Sequence, residues 1–220
     1  LHGRLAMSQV SPVAARIAAL QQAGSAMALL EATQELASCA DASAAPVLVE
    51  VLGFNNPGAA VAAVEGLISL GTAAVEALLQ LDPENYGARA WAVRALAGIG
   101  DVRGLELLVD ALGTDVAASV RRAAAKGLGA LRLGDLEPAR QAAIQARCLE
   151  ALLAATADGE WVVRYAVVVG LEGLAKASPL DPAAHGALKA GLQRLQVVSA
   201  ENPTVVQLRA QLALDHLSPP

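Results

Sequence analysis

The sequence predicts an all-α protein, an α-solenoid (superhelix) of HEAT-like helical repeats, and three observations predict it. The first is one apolar stripe that recurs four times at helical spacing. Counted from Ala59, Ala88, Val120 and Val163, apolar or small residues fall at offsets of zero, three, four, seven, eight and eleven, the pattern of a single buried face on an α-helix. The copies read Ala59-Ala62-Ala63-Gly66-Leu67-Leu70, Ala88-Trp91-Ala92-Ala95-Leu96-Ile99, Val120-Ala123-Ala124-Gly127-Leu128-Leu131 and Val163-Ala166-Val167-Gly170-Leu171-Leu174. The second is their period of roughly 30 residues, lengthening to roughly 43 before the last copy, which leaves each unit room for this helix, a turn and a second helix. The third is composition: 55% of residues are apolar, yet the aromatics are only 2 Trp, 2 Tyr and 1 Phe. The interior must therefore be built from Ala, Leu and Val at close helix approach, and Ala and Leu are also strong helix formers.

The elements follow in order. Residues 12–22 and 25–39 read as an opening helical pair broken by Gly24. Residues 45–52 form a short second-type helix ended by the Gly53-Phe54-Asn55-Asn56-Pro57-Gly58 turn, and 59–70 is the first clear copy of the stripe. After Gly71-Thr72 the helix 73–81 packs back, and Asp82-Pro83-Glu84-Asn85 leads into the second copy with Asp82 or Asn85 as N-cap. Gly98-Ile99-Gly100 closes that copy as a C-cap, and 102–112 returns the chain. Gly113-Thr114-Asp115 precedes the third copy and Asp158-Gly159-Glu160 the fourth, with a long helix over 139–155 accounting for the wider spacing. Asp181-Pro182 opens a helix toward residue 198, and Glu201-Asn202-Pro203 opens a last one ending near Leu217. No stretch carries a strand pattern.

Bulk properties narrow the function classes. A net charge of −5 leaves no basic surface for phosphates, which argues against a nucleic-acid partner. Mean hydropathy is +0.46, but Glu50, Glu65, Glu76, Arg89 and Arg94 interrupt the apolar runs before they reach the roughly 18 residues of a bilayer span. A soluble protein without a membrane span is expected. Cys39 and Cys148 are too few and too far apart for a disulfide framework or a metal site, so the expected compartment is reducing and cytoplasmic. Met7 reads as a native start and residues 1–6 as a remnant outside the fold, leaving 7–220 as a single α-solenoid of about five to six repeats.

Charged residues support the alignment independently of the stripe. Arg89, Arg121 and Arg164 each follow the first stripe residue, and Asp115 and Asp158 lie six residues before the last two of them. This resembles the Asp/Arg pair of HEAT repeats, where charge-assisted hydrogen bonds link stacked units. The first copy has Ala60 at the Arg position, and the second has Asp82 one residue early. An anion site is the other reading of these arginines.

Catalytic constellations are missing from the pattern. His2, His185 and His216 are scattered, none at metal-ligand spacing beside another His or a Cys. No Gly-rich phosphate loop follows a strand, and both cysteines fall in apolar helical stretches as packing residues. The aromatics are clustered: Tyr86 and Trp91 near the second copy, Trp161 and Tyr165 near the fourth. Trp91 fills a stripe slot that holds Ala in the other copies and reads as an oversized core residue. Tyr165 lies about 200° round the helix from the core, with Val169 one turn further, where the third copy has Arg122 and Lys126. That outer pair is expected to meet a partner or ligand, or else the long helix over 139–155.

Four segments carry a family resemblance. Asn85-Tyr86-Gly87-Ala88-Arg89-Ala90-Trp91-Ala92-Val93-Arg94-Ala95-Leu96-Ala97-Gly98-Ile99-Gly100-Asp101, followed by Ser119-Val120-Arg121-Arg122-Ala123-Ala124-Ala125-Lys126-Gly127-Leu128-Gly129, resembles the E/F-type phycobilin lyases. The segment Asp158-Gly159-Glu160-Trp161-Val162-Val163-Arg164-Tyr165-Ala166, together with Gly53-Phe54-Asn55-Asn56-Pro57-Gly58-Ala59-Ala60, resembles the F-type subunit in particular. The likeness covers roughly residues 30 to 175. The Arg-Ala-Leu-Gly helical repeat is shared by many HEAT proteins; the Asn-Tyr-Gly-Ala-Arg-Ala-Trp-Ala and Gly-Glu-Trp-Val-Val-Arg-Tyr blocks are the specific part.

The resemblance implies an all-α crescent that pairs with an E-type subunit as a heterodimer and attaches an open-chain tetrapyrrole, phycocyanobilin or a related bilin, to a cysteine of a phycobiliprotein. The phycocyanin α subunit is the implied client, and the bilin is a transferred substrate rather than a tightly bound cofactor. The client's thiol adds to the ring-A ethylidene group, so this chain needs no triad or metal and acts by positioning. Bilin propionates call for Arg and the ring plane for aromatic faces. Tyr86, Arg89, Trp91, Arg94, Trp161, Arg164 and Tyr165 are therefore the expected lining of a bilin or client site, although Arg89 and Arg164 also suit the repeat ladder. A second assignment gives this subunit no bilin contact and reserves Tyr165 and Val169 for the E-type partner. The competing function is a non-catalytic HEAT-repeat binding protein, such as a bilin carrier or a phycobilisome assembly or degradation adaptor.

Overall fold

The computed structural model describes residues 11–177, 179–197 and 202–217, and every regular element among them is helical. The expected remnant before Met7 lies outside the described residues. Helices α1 (Pro12–Gln21) and α2 (Ala26–Ala37) open the chain, followed by α3 (Ala45–Val51), α4 (Pro57–Leu70), α5 (Val75–Leu79) and α6 (Tyr86–Ile99). Then come α7 (Leu105–Thr114), α8 (Ala118–Leu128), α9 (Pro138–Ala154), α10 (Trp161–Ala177), α11 (Pro182–Gln196) and α12 (Thr204–His216). Short 3₁₀ turns, Ala42–Ala44, Gly71–Ala74 and Val102–Gly104, lead into α3, α5 and α7.

Local chemistry sets these boundaries. Ser25 Oγ, Asn56 Oδ1 and Asn85 Oδ1 accept hydrogen bonds from the amides of Ala28, Ala59 and Ala88 at 3.1, 3.0 and 3.1 Å, each satisfying an otherwise orphaned first-turn donor. Asn85 is thus the cap of α6, while Asp82 closes the turn before it by accepting from the Glu84 amide. Proline occupies the first turn of α1, α3, α4, α9 and α11, where no donor is lost. Gly100 ends α6 at φ 70°, a conformation costly for a side chain, and its carbonyl accepts from Arg132 N.

The chain groups into two compact units, Leu1–Trp91 and Ala92–Pro220, with the boundary inside α6. In the first, α4 packs on α2 and α3, and α3 packs on α5. In the second, α10 packs on α8 and α12, while α9 lies between α7 and α11. Stripe helices thus stack on stripe helices and intervening helices on intervening helices, which is the arrangement of HEAT-like repeats in an α-solenoid.

The stripe is the core. Every one of its positions is buried except Leu70, Trp91 and Ala123, which are half-buried. Two further copies flank the four read from sequence. Leu29-Ala32-Thr33-Leu36-Ala37-Ala40 begins in α2 with Thr33 and Leu36 fully buried, and Val206-Arg209-Ala210-Ala213-Leu214-Leu217 runs along α12 with Val206, Ala210 and Ala213 fully buried. Thr33 tolerates burial because its hydroxyl donates to the Leu29 carbonyl at 2.7 Å.

Close approach is as tight as the composition implied. A Cβ added at Gly66 would lie 2.6 Å from Ala37 Cβ, and one at Gly127 would lie 2.6 Å from Ala97 Cβ. At Gly170 it would run into the Ala125 carbonyl oxygen. These three glycines hold the same stripe offset, so helices α4, α8 and α10 each meet a preceding helix at backbone distance there.

The segment Pro57–Leu79 is the one stretch among the described residues with the length and apolarity of a bilayer span. Half of it is buried inside the first unit, with Ala59, Ala60, Ala63 and Leu67 inaccessible. Gly71 at φ 62° breaks it into two elements, and Glu65 and Glu76 face solvent from it. It is a core helix followed by a turn.

One buried charge cluster anchors α12. Glu172 of α10, 5% exposed, accepts hydrogen bonds from Lys176 at 2.5 Å, from Arg209, and from His216 Nδ1 at 2.7 Å. Burial pushes the Glu172 carboxyl up, but the bonds from Lys176, Arg209 and His216 outweigh it and hold it down at about 2.

Candidate functional site

The edge where intervening helices end and stripe helices begin carries most of the residues singled out from sequence. In the second unit its charged side chains form a continuous ladder. Arg121 forks onto Asp158, Nε to Oδ2 at 2.7 Å and Nη2 to Oδ1 at 3.0 Å, and its Nη1 donates to the Asp115 carbonyl at 2.8 Å. Arg164 repeats the motif one unit on, Nη1 to the Asp158 carbonyl at 2.5 Å and Nε to Asn202 Oδ1 at 2.9 Å. Gln207 Nε2 then donates to the Asn202 carbonyl at 2.7 Å and ends the series. Partial burial pushes the Asp158 carboxyl up, but hydrogen bonds from Arg121 and from the Glu160 amide hold it below the usual range. The Asn202–Gln207 rung was not read from sequence because neither residue is charged.

The expected site residues divide by exposure. Tyr86 opens α6 and is 70% exposed; Arg89, Trp91 and Arg94 on the same helix are half-buried. Trp161 opens α10 and is 45% exposed, one turn from Tyr165. Arg164, between them, is buried at 7% exposure and engaged in the ladder. Tyr165 and Val169 are half-buried, whereas the equivalent Arg122 and Lys126 of α8 are exposed. Trp161 and Tyr165 therefore share a face of α10, with Arg164 beside them.

Clefts of ligand size open in each unit. One of about 330 Å³ is lined by Asp158, Arg164, Arg194, Val197 and Asn202, and Arg194 is exposed there. A second, of about 360 Å³, lies between α7 and α9 over Val109, Leu112, Ala151 and Ala154, rimmed by Arg147 and Glu150. In the first unit a cleft of about 490 Å³ is lined by Val49, Glu50, Phe54, Asp82 and Asn85 among others. Paired arginines suit a carboxylate, and Ala-rich walls suit a flat apolar body.

Cys148 is fully buried in α9 and its thiol is pushed up to about 12 by burial, which leaves it unreactive. Cys39 lies just beyond α2, not within a helix, and its sulfur accepts from Arg16 Nη1 at 2.7 Å. His185 is half-buried on α11, and His216 is tied to Glu172. Among the described residues no group of three or more His, Cys, Asp or Glu is placed to hold a metal ion.

Comparison with known proteins gives this arrangement its context. Residues 75–168 match the family of HEAT repeats. The bilin biosynthesis protein RpcF of Synechococcus sp. (strain WH8020) is 47% identical over 213 residues, covering 96% of this chain and 99% of the relative. The chain belongs to the E/F-type phycobilin lyase family, as an F-type member. Within that family, the phycocyanin alpha phycocyanobilin lyase CpcF of Synechocystis sp. (strain ATCC 27184 / PCC 6803 / Kazusa) is 53% identical over 171 residues, 77% of this chain and 80% of the relative. A solved structure, the complex of CpcE and CpcF of phycocyanin lyase from Nostoc sp. PCC7120, matches with a TM-score of 0.69 at 45% identity, covering 79% of this chain and 99% of that one.

Proposed function

We infer that this chain is the F-type subunit of a heterodimeric phycobilin lyase, an enzyme that works together with an E-type partner. It attaches an open-chain tetrapyrrole through a thioether to a cysteine of a phycobiliprotein, the phycocyanin α subunit. The observation that carries this is a match along nearly the whole of both chains to RpcF, together with 53% identity over 77% of this chain to a relative bearing phycocyanin alpha and phycocyanobilin in its name. The reaction is an addition: the client's sulfur bonds to the exocyclic carbon of ring A, the thiol proton ends on the ring system, and nothing leaves.

Because the client supplies the nucleophile, the pair of subunits contributes geometry, holding the bilin extended with one face toward the thiol. Phycocyanobilin is the transferred substrate, not a resident cofactor, and the compartment is the cytoplasm. Trp161 and Tyr165 offer aromatic faces for the bilin, and Arg164 with Arg194 offers positive charge for a propionate beside the 330 Å³ cleft. The α6 set of Tyr86, Arg89, Trp91 and Arg94 remains a bilin- or client-binding surface; in the second assignment this chain makes no bilin contact and Tyr165 with Val169 faces the E-type subunit. The test is co-expression of the chain with an E-type subunit, phycocyanobilin and the apo-client. The client keeps its visible absorbance after acid-urea denaturation if the reading is right; a client that bleaches on denaturation points to a carrier or adaptor instead.

A further inference from the structure

We propose that the cleft at the open edge of the first unit is the docking surface for the apo-phycobiliprotein client, through a basic segment of the client with an apolar anchor; this rests on the lyase reading above. Between Arg16 and Arg89 the chain carries Asp or Glu at eight positions and no Lys, Arg or His, so the rest of the chain is net positive. Two of these carboxylates lie where apolar surface is open. The cleft of about 490 Å³ has Glu50 and Asp82 in its wall, both exposed, and Phe54 at 43% exposure beside them. Asn85 in the wall has exposed chain neighbours, Glu84 and the 70% exposed Tyr86. The two sides are held close: a Cβ at Gly53 would come within 2.9 Å of Asn85 Nδ2.

Phe54, exposed beside Val49, Ala77 and Leu81 in the cleft wall, loses water favourably when covered, and the carboxylates of Glu50 and Asp82 decide what covers it. A bilin, with its two propionates, is repelled. A client that must arrive and leave each turnover fits a charged rim, because steering by charge raises the encounter rate without adding much residence time.

The test measures the affinity of the apo-client for the intact E–F heterodimer. The double variant Glu50→Lys/Glu84→Lys should weaken client binding about tenfold or more and abolish its dependence on salt between about 50 and about 300 mM. The control Glu31→Lys/Glu65→Lys applies the same change of charge at exposed sites away from the cleft and should leave affinity within about twofold of wild type. Unchanged affinity in the first pair, an equal loss in the control, or loss of E-type pairing in the first pair would each overturn the assignment. A wild-type heterodimer that binds client in a salt-sensitive way but leaves it uncoloured would count against the lyase reading and still support the docking surface.

Discussion

Gly127→Ala and Gly186→Ala are the same chemical change in two helices, and the structure gives them opposite signs. At Gly127 of α8 the added Cβ lies 2.6 Å from Ala97 Cβ, 2.8 Å from Ala97 Cα and 3.3 Å from Leu108 Cδ1. Ordinary contact needs at least about 3.4 Å, so α8 must retreat from the Ala97 backbone by nearly 1 Å. Backbone cannot swing aside as a long side chain can, which places the cost near the top of the 1–3 kcal/mol range for overpacking, about 3 kcal/mol. Replacing a helical glycine with alanine returns about 1 kcal/mol of conformational entropy. The net is a loss of about 2 kcal/mol. At Gly186 of α11 nothing lies within 4 Å of the added carbon, and the entropy gain stands alone at about 0.5–1 kcal/mol of stabilisation. Urea unfolding followed by far-ultraviolet circular dichroism at matched concentration reads both. Equal stabilisation by the two substitutions would refute helix stacking at backbone distance.

Glu172→Gln removes the anion from beneath Arg209 and should cost about 3 kcal/mol, in line with breaking other buried pairs. The carboxyl is held at about 2 against an ordinary 4.5, so its stabilising contribution is complete above about pH 4.5 and disappears as pH falls toward 2, up to about 3 kcal/mol. Acid titration of stability should therefore flatten in the variant; an unchanged slope would remove Glu172 as its source. Arg121→Ala strands a largely buried Asp158 carboxylate, with 10% of that side chain exposed, and should cost about 2 kcal/mol by thermal or urea unfolding. Arg103→Ala, at 44% exposure in its pair with Asp101, should cost less than about 1 kcal/mol, and equal losses would contradict the ladder's role in stacking. Trp161→Ala, at an exposed helix start, should slow bilin transfer about tenfold or more while shifting the melting temperature by only a few degrees. A large loss of stability instead would place Trp161 in the scaffold.

The repeat was legible wherever its face is purely apolar. Four copies announced themselves through Ala, Leu, Val and Gly at fixed offsets, and the glycines at the seventh offset already marked the close contacts. The outer two copies were hidden by polar residues in stripe slots: Thr33, fully buried with its hydroxyl on the Leu29 carbonyl, and Arg209, half-buried and bonded to Glu172. The Glu172 cluster was illegible for a related reason: Arg209 and His216 approach it from 37 and 44 residues away. The ladder was half legible, since Arg121, Arg164, Asp115 and Asp158 share spacing, whereas Asn202 and Gln207 do the same hydrogen bonding without charge. Among site residues, rarity drew notice to the aromatics, but exposure separates them: Tyr86 and Trp161 are open, Trp91 is half-covered, and Tyr165 with Val169 is more covered than its position opposite the core implied. The cation-free run between Arg16 and Arg89 is a property of the sequence, but only the structure places Glu50, Asp82 and Phe54 round one cleft.

The mass of the client's chromophore-bearing cysteine peptide tests the account most directly. After co-expression with phycocyanobilin and both subunits, that peptide should gain the mass of one whole bilin, because addition of a thiol across a double bond expels nothing. Omission of this chain should leave the peptide unmodified. An unmodified peptide with both subunits present, or a modified one without this chain, would contradict it.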